Sequence, residues 1–221
     1  MDGGLGMRQR LIEGEGCIAE GITALVAIDP AWASVVEVAG PPRLRRRTPG
    51  FEGLARTIVS QQLSVASAEA IWTRLAALLD PVTPAGLLAA SEEALAAAGL
   101  SGSKRRTLRT LAEATIEGRL AFEAHPERTP EAIHAELTAI KGVGPWTADI
   151  YLMFSLAHAD AFAPGDLALQ EAARLAFGLP ARPAPEALRA MAEPWRPWRG
   201  VAAQLLWAYY HVVKRREGIT G

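Results

Sequence analysis

The sequence predicts an all-α protein, and three observations carry that prediction. Alanine recurs in dense runs with other apolar residues at helical spacing, and strand-type alternation of Val, Ile and Thr between turn residues is nearly absent. Proline and glycine break the chain into short periodic segments, as at Pro41-Pro42, Pro49-Gly50, Pro81, Gly99, Gly118 and Pro180. Helices are predicted over about 17–28, 51–60, 64–79, 91–98, 104–117, 130–140, 146–157, 167–177, 185–192 and 200–215. There is no internal repeat and no low-complexity linker. Short helices joined by tight turns pack as a compact bundle or as two helical lobes with a cleft between them.

Composition narrows the function classes. A chain of 221 residues, half of them apolar and 21% charged, can bury a core without disulfides or a structural metal. Cys17 is the single cysteine, which excludes a disulfide framework and any four-cysteine metal or iron–sulfur site, and a reducing cytoplasmic setting is expected. Met1–Ile12 carries Arg8 and Arg10 but no following apolar stretch of signal-peptide length, and runs such as Ile150–Ala157 are too short to span a membrane. His125, His134, His158 and His211 show no paired ligand spacing, so no catalytic metal is expected.

A net charge of −1 means that any nucleic-acid contact must rest on local patches. Three basic clusters qualify: Arg43, Arg45, Arg46 and Arg47; Lys104, Arg105, Arg106 and Arg109; and Lys214, Arg215 and Arg216. A solvated surface is the default reading of each, and the third also suits a helix carboxyl end. The second adjoins a Ser-Gly-Ser turn at 101–103, where a helix amino terminus could offer backbone N–H groups to a phosphate.

The most informative stretch is Leu137-Thr-Ala-Ile-Lys-Gly-Val-Gly-Pro-Trp-Thr-Ala-Asp149. One helix is predicted to end at Gly142 and another to begin at Pro145. Gly142 and Gly144 permit positive φ and close approach of another backbone, and Pro145 suits a first helical position. Such a turn is either an ordinary αα-hairpin or an anion site whose N–H groups and helix dipole fit a DNA phosphate.

Leu137, Ile140, Gly142-Val143-Gly144 and Ala148 resemble the helix–hairpin–helix of the DNA glycosylase superfamily. Pro145-Trp146-Thr147-Ala148 resembles its 3-methyladenine DNA glycosylase II branch. Further matches follow in the family's order: Phe51-Glu52 leading to Ile58-Val59-Ser60-Gln61-Gln62-Leu63-Ser64, Phe162-Ala-Pro-Gly-Asp166, then Trp195-Arg-Pro-Trp-Arg199 with Trp207. The resemblance runs from about residue 18 to 213. It implies two helical subdomains with a DNA-binding cleft between them, one over about 51–160 with the helix–hairpin–helix at about 130–157, the other from 1–50 and 161–221. The chain has no room for the amino-terminal β-rich lobe of the longer bacterial enzymes.

The implied activity is hydrolysis of the N-glycosidic bond of alkylated purines, such as 3-methyladenine and 7-methylguanine, in base excision repair by a monomer acting on double-stranded DNA with damaged bases. Asp166 is the implied catalytic residue, since a fixed carboxylate stabilises positive charge developing on the sugar or positions water; viewed alone, an aspartate before a helix reads as its N-cap. Trp146 and Trp207 match the family's pocket aromatics, which hold a base rotated out of the duplex, with Ile150 beside them. For Trp207, Ile150, Met153 and Phe154, core packing is the default reading. Trp195 and Trp198 read as structural anchors for the last helix.

The expected DNA contacts are Gln62, Leu63 and Ser64 in the turn that supplies the gap-filling side chain, Lys104 from the basic cluster beside the Ser-Gly-Ser turn, and Lys141, Gly142, Val143, Gly144 and Thr147 at the hairpin. Gln62 matches the gap-filling position best, with Leu63 able to share the task. No catalytic cofactor is implied; the backbone carbonyls of Thr138, Ile140 and Val143 match a structural monovalent-cation site. Relatives that also cut the strand carry lysine where Trp146 stands, which implies no lyase activity. Two rivals stay open on the sequence: a non-catalytic helix–hairpin–helix protein that recognises damaged DNA, and a glycosylase for oxidised or deaminated bases.

Overall fold

A computed structural model describes residues 10–216. Arg8, part of the amino-terminal reading, lies outside the described residues. Twelve α-helices are present among them, and no β-strand: α1 (Glu15–Ile28), α2 (Ala31–Ala39), α3 (Phe51–Ser60), α4 (Val65–Leu79), α5 (Pro84–Ala89), α6 (Glu92–Ala97), α7 (Gly102–Ile116), α8 (Pro130–Thr138), α9 (Pro145–Phe154), α10 (Leu167–Ala176), α11 (Pro185–Met191) and α12 (Arg199–Arg216). Short 3₁₀ turns occupy Phe122–Glu127 and Glu193–Trp195. No described helix is long and apolar enough to cross a membrane.

Helix starts follow the capping chemistry of the sequence. Ser64, Thr83, Ser91, Ser101 and Thr129 each accept a backbone N–H three residues on, and proline opens α5, α8, α9 and α11. Two helices escaped the sequence reading. Both are short: α2 starts after Asp29-Pro30, and α5 has six residues, too few for a periodic signal.

The described residues divide into two units, 10–45 with 157–216, and 46–156. In the first unit α12 packs on α10, α2 and α1. Its core is partly aromatic. Trp32 meets Trp195 edge-on at 5.0 Å and Phe177 at 5.3 Å, and Phe162 reaches Trp195 at 6.0 Å. Gly200 donates to the carbonyl of Ala159 at 2.7 Å, and the Arg199 guanidinium grips Asp160 through two bonds of 2.8 and 2.9 Å. Trp195 is thus part of this unit's aromatic core, and the Arg10 guanidinium lies 4.6 Å from the ring of buried Trp198.

In the second unit α3 is central, packed against α4, α7 and α9, with α8 and α9 forming the hairpin. Leu54, Ile58, Leu108, Leu111, Ile133 and Leu137 fill its core at 0% exposure. Tyr151 is buried among them. Its hydroxyl accepts the N–H of Gly50 at 3.0 Å, and burial pushes its pKa up to about 12.

Candidate functional site

The hairpin between α8 and α9 is built around one glycine. Gly142 has φ +93°, and a Cβ there would lie 2.0 Å from Thr107 Oγ1 on α7, so the residue satisfies both a left-handed backbone and a close approach. Gly144 corrects the sequence reading. Its φ is −89°, ordinary for any residue, and a Cβ there meets nothing within 4 Å. The open space at Gly144 faces away from the protein's own atoms.

Within the turn the Val143 N–H is spent on the Ile140 carbonyl at 2.9 Å, while Thr147 and Ala148 both donate to Gly144 O. Among the described residues, neither Gly142 nor Gly144 directs its N–H to a backbone acceptor. Those donors and the amino terminus of α9 make a concentration of partial positive charge suited to an anion. Lys141 stands exposed beside it.

The side chains of this turn divide into inward and outward. Val143 is 4% exposed and Thr147 2%, so neither presents its side chain to a ligand, against the expectation of direct contact at Thr147. The Thr147 hydroxyl accepts from Gln61 Nε2 at 2.9 Å instead. Trp146 is half-buried in the first turn of α9, and Ile150 lies buried one turn on.

The segment after α3 carries the other expected contacts of this unit. Gln62 adopts φ +56°, a strained conformation for a side-chain-bearing residue, and is exposed. Leu63 is 39% exposed and Val65 80%, an apolar edge facing solvent. Ser64 caps α4 through a 3.2 Å bond from Ser67 N. Lys104 is placed differently from expectation: its ammonium donates to the Val59 carbonyl at 2.7 Å, closing the carboxyl end of α3, and burial pulls its pKa below the ordinary value. Arg105 and Arg109 share Glu92 and cap nearby carbonyls. The second basic cluster thus mainly holds helices together.

Asp166 belongs to the first unit. It is the N-cap of α10, its Oδ1 accepting Leu169 N at 2.9 Å, and the same oxygen accepts the Trp207 indole N–H at 3.1 Å. Trp207 is half-buried on α12 and engages the carboxylate, so it is more than the core filler its apolar neighbourhood suggests. The turn before Asp166 is held from beneath by Gln170, 4% exposed, whose Nε2 donates to Pro164 O at 2.8 Å. A carboxylate oriented by two N–H donors can stabilise positive charge developing opposite it or orient a water.

Sequence reasoning missed Gln61, Thr107 and Gln170. Gln61 carried a weak signal as the first of a tandem pair; Thr107 and Gln170 act through tertiary contacts that no local pattern announces. No group of three or more His, Cys, Asp or Glu able to hold a metal occurs among the described residues.

The family profile of the HhH-GPD superfamily of base excision DNA repair proteins matches residues 55–197. The chain is 32% identical over 190 residues to DNA-3-methyladenine glycosylase 1 of Schizosaccharomyces pombe, covering 83% of each protein. Its structure resembles a Schizosaccharomyces pombe 3-methyladenine DNA glycosylase in complex with abasic DNA, with TM-score 0.80, 31% identity and coverage of 85% of this chain and 95% of that one. It also resembles a DNA-3-methyladenine glycosidase from Bacillus halodurans, with TM-score 0.77, 31% identity and 95% coverage of both chains.

Proposed function

Because the chain belongs to the HhH-GPD superfamily of base excision DNA repair proteins, we propose that it is a monofunctional DNA glycosylase releasing alkylated purines, such as 3-methyladenine and 7-methylguanine, from double-stranded DNA. The observation that carries this reading is Asp166, whose Oδ1 is fixed by both Leu169 N and the Trp207 indole. As the glycosidic bond lengthens, its electron pair leaves with the base and positive charge grows on the sugar. The Asp166 carboxylate offsets that charge and orients the water whose oxygen bonds to the anomeric carbon. A cationic lesion departs as a neutral base, and the water's second proton passes to the carboxylate or to solvent.

DNA grip falls to the hairpin, through the N–H groups of Gly142 and Gly144 with Lys141 beside them. Gln62 and Leu63 fill the gap left by the rotated nucleotide; Trp207, whose indole is bonded to Asp166, offers a face on which a base can stack, and Trp146 in the other unit is a second candidate for stacking. The carbonyls of Thr138, Ile140 and Val143 would hold a monovalent cation, which would add positive charge beside the hairpin and take no part in the bond breaking; Ile140 O accepts one N–H and keeps a second lone pair that an ion could use. Trp146 supports hydrolysis without strand cleavage, because an indole cannot form a Schiff base.

Base release by the purified chain tests the reading. Incubation with methylated DNA should liberate 3-methyladenine and 7-methylguanine and leave abasic sites. Unchanged methylated DNA would reject catalysis, and selective release of oxidised or deaminated bases from a lesion panel would reject the alkylpurine assignment.

A further inference from the structure

Gln61 occupies the joint between two elements that the proposed function assigns to DNA. It is the last residue before the strained Gln62, and its single Nε2 donates to both sides of the hairpin: to Gly142 O at 3.3 Å, where the turn begins, and to Thr147 Oγ1 at 2.9 Å, in the first turn of α9. Thr147 is 2% exposed, so its hydroxyl has little access to water and the part-buried bond is costly to leave unmade on the threonine side. The carbonyl of Gly142 and the N–H of Val143 belong to one planar peptide; fixing the carbonyl fixes the N–H, which points at Ile140 O. The other neighbours of this joint are equally constrained. Lys104 Nζ holds Val59 O two residues before Gln61, and Thr107 fills the space a Cβ at Gly142 would need.

We propose that Gln61 is a positioning residue that locks the gap-filling turn, Gln62-Leu63, in register with the phosphate-gripping hairpin. The proposal rests on the DNA-binding reading of the hairpin. An exposed apolar edge can enter a base stack productively only when its distance from the gripped phosphate is fixed, because insertion and grip act on one stiff duplex. Gln61 supplies that fixed distance within one unit of the protein. Without it the hairpin keeps its own N–H donors and still grips, but the turn loses its reference point.

The test uses the full chain and a duplex carrying a tetrahydrofuran abasic analogue flanked by 2-aminopurine, whose fluorescence reports insertion without any need for catalysis. Gln61→Leu keeps the volume and removes both donors. It should bind undamaged duplex within about threefold of wild type and lose at least about tenfold in the insertion response. Thr147→Val should do the same, while Thr147→Ser, which keeps the acceptor, retains the response. Leu63→Ala should cost little more in the Gln61→Leu background, since both act through one turn. An unchanged insertion response in folded Gln61→Leu protein would overturn the proposal. So would parallel losses of melting temperature, duplex affinity and insertion, which mark a merely structural bond. Failure of wild type to bind any duplex would instead reject the DNA reading beneath it.

Discussion

Trp207 donates its indole N–H to the same oxygen of Asp166 that caps α10, at 3.1 Å against 2.9 Å for the capping bond from Leu169. One carboxylate oxygen is therefore fixed from α12 and from its own helix. Trp207→Phe should retain the fold, because the backbone cap is untouched and the half-buried position tolerates a smaller aromatic ring. Losing a hydrogen bond to a charged group costs about 1.5–3 kcal/mol, so single-turnover excision should fall by about tenfold to a hundredfold. Excision at the wild-type rate would detach Trp207 from the chemistry.

The two hairpin glycines should respond oppositely to substitution. Gly142→Ala forces a side chain into a left-handed backbone and onto Thr107, at a cost of about 2–4 kcal/mol by the strain and overpacking terms together. Gly144→Asp meets open space and supplies a good N-cap, so stability should hold or rise slightly. Its carboxylate repels phosphate, and low-salt affinity should fall about tenfold for damaged and undamaged duplex alike. Urea unfolding and a binding titration check both halves; equal affinity for Gly144→Asp and wild type would remove the hairpin from the interface.

All-α architecture and most helices were legible because alanine-rich apolar periodicity, serine and threonine caps and helix-opening prolines agree along the chain. Asp166 was legible as a helix cap through its place before a helical run. What stayed hidden depends on tertiary contact. Lys104 reads as a surface base in sequence, yet its ammonium caps a helix 45 positions away in the chain. Glycine spacing suggested two left-handed residues in the hairpin, whereas one suffices once Thr107 packs beneath Gly142. Gln61 and Thr147 lie 86 positions apart, beyond the reach of any local pattern.

Stability at high pH should report the buried Tyr151. Its folded pKa, raised to about 12 by burial, exceeds the ordinary value of 10.0, so the folded state holds the proton more tightly than the unfolded chain. The stabilisation is complete below pH 10 and is lost as pH rises from 10 towards 12, by about 2–3 kcal/mol. Urea titrations at pH 9 and 11 should give wild type the steeper decline and Tyr151→Phe the shallower one. Equal slopes would show that the phenol ionises without opening the fold.

Strand cleavage separates the hydrolytic reading from a lyase. With Trp146 in place of an amine, DNA should remain intact after base release until treated with alkali. Borohydride trapping of a covalent protein–DNA adduct at a lesion would identify another nucleophile and reject the monofunctional assignment.

Asp166→Asn tests the proposed chemistry most directly, because asparagine keeps the shape and the capping oxygen while removing the charge. The bonds from Leu169 N and the Trp207 indole can both persist, so circular dichroism and unfolding should match wild type. Loss of a preorganised charge costs on the order of a hundredfold to a thousandfold in the chemical step, and single-turnover excision should fall at least that far. Affinity for lesion DNA should hold or improve, since removing a negative charge lessens repulsion of the phosphates. The loss should be smaller for cationic 7-methylguanine than for a neutral base whose bond needs more help. Excision by folded Asp166→Asn within a few-fold of wild type would reduce Asp166 to a helix cap and contradict its catalytic role.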